Sequence, residues 1–335
     1  MNRVARAFTI SGLFVLAPCS RAEPARAQQP VAPDASPRVG PVAAIPVPVQ
    51  GSGMSVERVS FSQARTFLWP RSAPDTTRCE SNPDPVRCLL DARWSAWPDA
   101  NARVDGMWRD LGTVCGVERA QLFDGAYRGI VQIVPEFPVG RYAQHLVWVE
   151  RALRDQDAFY RDVAAHAPRA IAYRWTGLGI LFHRTVNTRT PAAYASDWTF
   201  AYNVVGGINS SLERIRLTIL HEVFHLNDAE HHHWSHTALQ PIYAAVLRRC
   251  GSDTACLSPY APSQLRVRRT GMYYSFQSGN SDVGEYAATL CERYYLEQTR
   301  QWRGRPFRCT SPENAAAWRA IVDEFFGGHD DSPGC

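Results

Sequence analysis

Leu212, Ile215, Ile219, Val223 and Leu226 recur at three- and four-residue spacing, the period that lays one apolar stripe along an α-helix. Ser210-x-x-Glu213 just ahead is a capping-box pattern, in which each side chain satisfies a free backbone N–H of the first turn, so a helix is predicted to open there. Two runs upstream, Leu178–His183 and Thr199–Val205, are rich in β-branched and aromatic residues and read as strands, the second broken by Gly206-Gly207. Before them a helical pattern opens at Leu146 and runs to about His166. After them, helices are expected from Asp282 to about Arg300 and from Pro312 to Phe326. The last has Ser311 as cap, Pro312 at its first position and Gly327-Gly328 past its end. Helix, strand, strand, helix is an α+β order.

The chain has 335 residues, 45% hydrophobic and 20% charged, the make-up of an ordinary globular protein long enough to bury a core. All 36 basic residues are arginine, spread along the chain with no block of five or more like charges. Residues 1–27 read as a signal peptide: Arg3 and Arg6, an apolar stretch Ala7–Pro18, and the small-x-small Ala25-Arg26-Ala27. A rival reading makes Leu16-Ala17-Pro18-Cys19 a lipoprotein signal, with the chain anchored through Cys19. Removing residues 1–27 takes away four arginines and one glutamate and leaves a net charge of +1, which disfavours a nucleic-acid partner. The apolar stretch is too short for a transmembrane segment. Residues 28–58 are Pro-rich and expected to be an extended linker, leaving 59–335 as the folded domain, with 60–170 a candidate helical N-terminal subdomain. Trp94, Trp97 and Trp108 there suggest a core. Eight cysteines besides Cys19 allow up to four disulfides in an exported, secreted or periplasmic chain, and proximity suggests Cys79–Cys88, Cys250–Cys256 and Cys309–Cys335. Cys115 and Cys291 are expected to be half-cystines as well.

Six of the ten histidines fall between residues 217 and 236. Within that stretch His221-Glu222-Val223-Phe224-His225 is an HExxH sequence on the predicted helix. Residues i and i+4 stand one above the other on a helix face, so both imidazoles can reach one metal ion. Glu222, a step round the helix, can then take a proton from a water at the open coordination position. Catalytic zinc needs a third protein ligand and keeps its fourth site for water.

HEVFH on its helix resembles the active helix of the zincin metallopeptidases. The likeness is specific over the motif, extends plausibly from Leu178 to Arg300, and is absent before that. It implies an α+β zincin-like domain with a small mixed sheet, an active-site helix and a mainly helical C-terminal part. It also implies Zn2+ on His221 and His225, Glu222 as general base, and residues 199–205 as the edge strand along which a substrate peptide lies.

Two third ligands compete. Glu285, in Glu285-Tyr286-Ala287-Ala288 near the start of the second helix, has the look of a gluzincin ligand; the alternative use of Glu285 is to close a capping box begun by Asp282. His231 has the metzincin spacing, and Thr270–Tyr274 contains a Met-turn candidate, but Asp228 stands where that pattern has Gly for a sharp turn. The Glu285 reading is preferred, with His231 as the alternative. Asp228 then either orients a ligand's second ring nitrogen or lies exposed near the helix end. Tyr273, Tyr274, Tyr294 and Tyr295 are candidate oxyanion donors. The expected activity is zinc-dependent hydrolysis of a peptide or protein substrate. A non-peptidase zinc hydrolase and a non-catalytic zinc-binding protein of the same fold remain alternatives.

Overall fold

The strand-forming runs find one another in a single mixed sheet, and the apolar helix faces cover it. The computed structural model describes residues 56–335 except 73, 125–128, 268–269 and 277–282; the expected signal, most of the linker, Cys19 and Asp282 lie outside the described residues. The strands are β1 (Val114–Val117), β2 (Gln121–Asp124), β3 (Ile130–Pro135), β4 (Gly179–Thr185), β5 (Ala193–Ser196) and β6 (Thr199–Asn203). Their order is β2-β3-β4-β6-β5, with β1 parallel to β4. β4 and β6 are parallel, while β2–β3, β3–β4 and β5–β6 are antiparallel. β4 is central: β6 runs along one side, while β1 pairs with residues 179–182 and β3 with 183–185 on the other.

This changes one expectation. The strand at 199–205 ends at Asn203 and is internal; the edge beside it is β5. A tight turn joins the two, with Asp197 and Trp198 both left-handed (φ 50° and 57°). Both central residues at positive φ is the hairpin turn whose twist matches that of the strands.

The helices are α1 (Phe61–Leu68), α2 (Thr77–Glu80), α3 (Pro85–Trp94), α4 (Pro98–Leu111), α5 (Ala143–His166), α6 (Leu212–Glu230), α7 (Trp234–Ala238), α8 (Gln240–Cys250), α9 (Thr254–Leu257), α10 (Val283–Gln298) and α11 (Pro312–Phe325). The architecture is thus α+β and mostly helical. Residues 60–170 carry, besides α1–α5, the strands β1–β3, which join the same sheet as β4–β6. One hydrophobic core runs from Val59 to Phe326 and includes Trp94 and Trp108, whereas Trp97 lies at the surface.

The stripe on α6 is buried as its spacing requires: Ile215, Ile219 and Val223 are wholly enclosed, and Leu226 nearly so. Its cap is Ser211 rather than Ser210. Ser211 has extended backbone and its hydroxyl accepts the Arg214 N–H, whereas the Ser210 N–H is spent on Ile208 in the preceding turn. α11 opens as expected, the Ser311 hydroxyl accepting the Asn314 N–H at 3.0 Å.

The three disulfides Cys79–Cys88, Cys250–Cys256 and Cys309–Cys335 are formed. Cys115 and Cys291 are not half-cystines: both are buried thiols, Cys115 against Met107 and Cys291 beside the hydroxyls of Tyr160 and Tyr173. Among the described residues no helix is long and apolar enough to cross a membrane.

Candidate metal centre

α6 packs against α5 on one side and α10 on another, and the site forms across the α6–α10 contact. His221 and His225 stand one turn apart on α6, and Glu285 lies in the first turn of α10. The two Nε2 atoms are 3.1 Å apart. Glu285 Oε2 is 3.0 Å from His221 Nε2, and its Oε1 is 3.8 Å from His225 Nε2. Two nitrogens bound to one ion at about 2.0–2.1 Å lie roughly 2.9–3.4 Å apart, and the spacing of the His221 and His225 nitrogens falls in that range. The imidazole planes meet at 82° with centroids 4.8 Å apart, as two rings converging on one point do. Among the described residues His221, His225 and Glu285 are the one group of three such side chains whose ligand atoms all lie within 4.8 Å of one another.

Glu292, not anticipated from the sequence, completes the arrangement. It lies two turns beyond Glu285 on α10, and its Oε1 is 2.8 Å from His221 Nδ1. A carboxylate there can only accept, so Nδ1 carries a proton and Nε2 of a neutral ring turns its lone pair toward the centre. That lone pair meets the Glu285 carboxylate and the His225 nitrogen. Such a donor set needs a cation, or an extra proton, at its middle. Burial alone lowers the His221 pKa, but the hydrogen bonds and charges of Glu285 and Glu292 outweigh it and hold the ring well above the usual histidine range.

Three carboxylates face these two imidazoles, and their pKa values part accordingly. Burial raises Glu292, and the pull of His221 does not undo it. Burial also works to raise Glu285, but its bonds to His221 and Tyr274 and the charge of His225 bring it below the ordinary glutamate value. Glu222, beside His221 in the chain and half-buried, is pushed up to about 7, chiefly by burial and then by the charges of Glu285 and Glu292, with His221 opposing.

Of the four tyrosines, Tyr274 reaches the centre. It shares a hydrogen bond with Glu285 and its ring lies 5.8 Å from that of His221. Burial raises its phenol, and the surrounding carboxylates raise it further, so it stays a neutral donor. Tyr273 takes a hydrogen bond from Arg266 instead. Tyr294 donates to the His329 carbonyl and stacks on Phe326, and Tyr295 packs on Phe159.

His231 is not brought to the centre. It follows the last residue of α6, its Nδ1 is 2.8 Å from Glu324 Oε1 on α11, and its ring packs on Phe325. The reason is visible in α6, which continues through Asp228 to Glu230 with no turn after His225. Asp228 neither orients a ligand nor lies exposed; it is buried and accepts the Ser235 N–H and hydroxyl, both at 2.8 Å. Comparison with protein-family models, curated proteins and solved structures returned no match to this chain.

Proposed function

We propose that this chain is an exported zinc metallopeptidase of zincin-like, gluzincin-like architecture, with His221, His225 and Glu285 as metal ligands. The observation that carries the reading is the cluster itself, two imidazole nitrogens 3.1 Å apart with carboxylate oxygens of Glu285 3.0 Å from one and 3.8 Å from the other, beside a glutamate at the second position of HExxH. The chain's three disulfides accord with an oxidising compartment, secreted or periplasmic.

A zinc ion held there supplies Lewis acidity, polarising a scissile carbonyl and making a water easier to deprotonate. Glu222 takes the proton of the attacking water and passes it to the leaving nitrogen, the general base becoming the general acid. Tyr274 donates to the oxygen on which negative charge develops. Glu292 keeps His221 in the tautomer that presents Nε2 inward. β5 pairs only with β6 among the described strands and packs beside α6, so its outer edge can receive an extended peptide by strand addition. A structural zinc site has no use for Glu222, which is why catalysis is preferred to a purely structural role.

The test is cleavage of casein and of a peptide library by the exported chain, with and without a chelator. Cleavage abolished by chelation, restored by zinc and lost in Glu222→Ala with zinc still bound is the expected result. Cleavage that survives Glu222→Ala contradicts the mechanism. Zinc bound without any cleavage contradicts the peptidase assignment.

A further inference from the structure

The later turns of α5, the start of α6 and the end of α10 do not close on one another. Between them and the tail that follows α11 lies a cleft of about 420 Å³, in the size range of a small-molecule site. None of the residues of the centre described above lines it. One wall is the tail, and the tail is fastened. The Gln298 side chain donates to Asp330 Oδ1 and Ser332 Oγ at 3.2 and 2.8 Å and accepts the Asp331 N–H at 2.8 Å. Tyr294 donates to the His329 carbonyl, and the Cys309–Cys335 disulfide anchors the end. A cleft braced in this way is preformed, so a ligand bears little ordering cost.

The charges that line it do not cancel. Three carboxylates, Asp155, Asp162 and Asp331, stand against one guanidinium, Arg216, a balance of −2. Asp155 holds that guanidinium, with Nε at 3.1 Å and Nη2 on the same oxygen. Asp162 and Asp331 are left with imidazoles, His166 Nδ1 at 3.3 Å from the one and His329 Nε2 at 3.7 Å from the other. Arg300, beside the lining residues, donates to the main-chain carbonyl of Asp331. The His329 side chain is only 7% exposed, and 3.7 Å is outside hydrogen-bond range. A buried imidazole thus faces the cleft with no hydrogen bond to its ring among the described residues, a costly state that a donor in the cleft would relieve. Phe159 and Tyr295, centroids 4.9 Å apart, add aromatic surface.

We propose that this cleft binds a small organic cation, an ammonium or guanidinium on a short carbon chain. Asp162 and Asp331 supply the opposing charge, and His329 accepts one N–H of the ligand. The rings of Phe159 and Tyr295 attract the cationic head and cover the methylene stem. Size and donor geometry decide against a bare metal ion: the cleft is far larger than one ion needs, and among the described residues the only three metal-binding side chains that converge lie elsewhere. Because the cleft exists only where three helices and the tail meet in the folded chain, its occupancy stabilises the fold by mass action.

The experiment titrates the chain beginning after residue 27, by calorimetry and thermal melting, with cadaverine, its uncharged diol counterpart, Nα-acetyllysine amide and Ca2+. The expected result is one cadaverine per chain, a melting temperature that rises with it, binding that weakens with salt, and no binding of the diol. The side chains of Asp162 and Asp331 are 68% and 72% exposed, so Asp162→Asn and Asp331→Asn leave the fold intact. Each is expected to weaken cadaverine about two- to fivefold, and the pair about tenfold. Tighter binding of cadaverine than of the blocked lysine marks a free diamine as the ligand; the reverse marks a lysine side chain of a protein. The proposal is overturned if neither amine binds, if the diol binds as well as cadaverine, if the double variant keeps full cadaverine affinity, or if Ca2+ binds the cleft and cadaverine does not.

Discussion

Replacing Glu292 by alanine tests the site through a residue that touches no metal. Its carboxylate accepts the Nδ1–H of His221 at 2.8 Å in a pocket where His221 is only 8% exposed. Without it the ring loses the partner that fixes its tautomer, and a buried N–H is left unpaired. Losing such a partner costs about 1–3 kcal/mol. At about 1.4 kcal/mol per factor of ten, that is close to the 10–100-fold loss of metal affinity typical of removing a carboxylate behind a histidine ligand. Glu292→Ala is therefore expected to weaken zinc about 10–100-fold in competition with a chromophoric chelator. Glu292→Gln separates two causes: it keeps an acceptor but removes the charge. If the hydrogen bond dominates, Gln recovers most of the affinity; if the negative charge dominates, Gln is as weak as Ala. Unchanged zinc affinity in a normally folded Glu292→Ala refutes the reasoning.

Three further expectations follow from the same geometry and packing. Tyr274→Phe removes one donor and is expected to lower kcat about 10²- to 10³-fold with zinc content and KM near those of the wild type; a large loss of zinc instead makes Tyr274 part of the metal's support. A chain beginning after residue 27, denatured without reductant, is expected to titrate two thiols, Cys115 and Cys291, whereas four disulfides leave none. Asp330 accepts hydrogen bonds from Trp318, Arg308 and the Ser332 amide at 2.9, 2.8 and 3.0 Å. Burial works to raise its carboxyl, but these bonds outweigh it and hold it below the ordinary value of 3.8. With the folded pKa below the unfolded one, the stabilisation is full above the unfolded value and is lost as pH falls through the folded value. Asp330→Asn should thus lower Tm at neutral pH and approach the wild type at strongly acidic pH, as thermal melts across pH can check.

The clustering of His221, His225 and Glu285 was legible because its signals are local. HExxH needs only helical spacing, and Glu285 needed only a second helix opening near residue 283. Glu292 was readable in principle, since residues seven apart share a helix face and Glu285 and Glu292 are seven apart. Nothing marked it without knowing that α10 packs against α6. Asp228 was misread because its partner, Ser235, becomes one only when the chain doubles back into α7. The edge strand was misplaced because β5 reads as Ala-Tyr-Ala-Ser, short and weakly patterned. Its turn also uses Asp197 and Trp198, where glycine or asparagine would have announced it. Counting cysteines suggested pairs for Cys115 and Cys291, but each is closed into a different part of the core, where an unpaired thiol behaves as a small apolar group.

The most direct measurement is zinc content by metal analysis of the chain beginning after residue 27 and of its Glu285→Ala and His231→Ala variants, each checked for folding. The account predicts one zinc per chain in the parent and in His231→Ala, and a loss in Glu285→Ala. Zinc kept without Glu285 and lost without His231, or a parent chain that binds none, contradicts it.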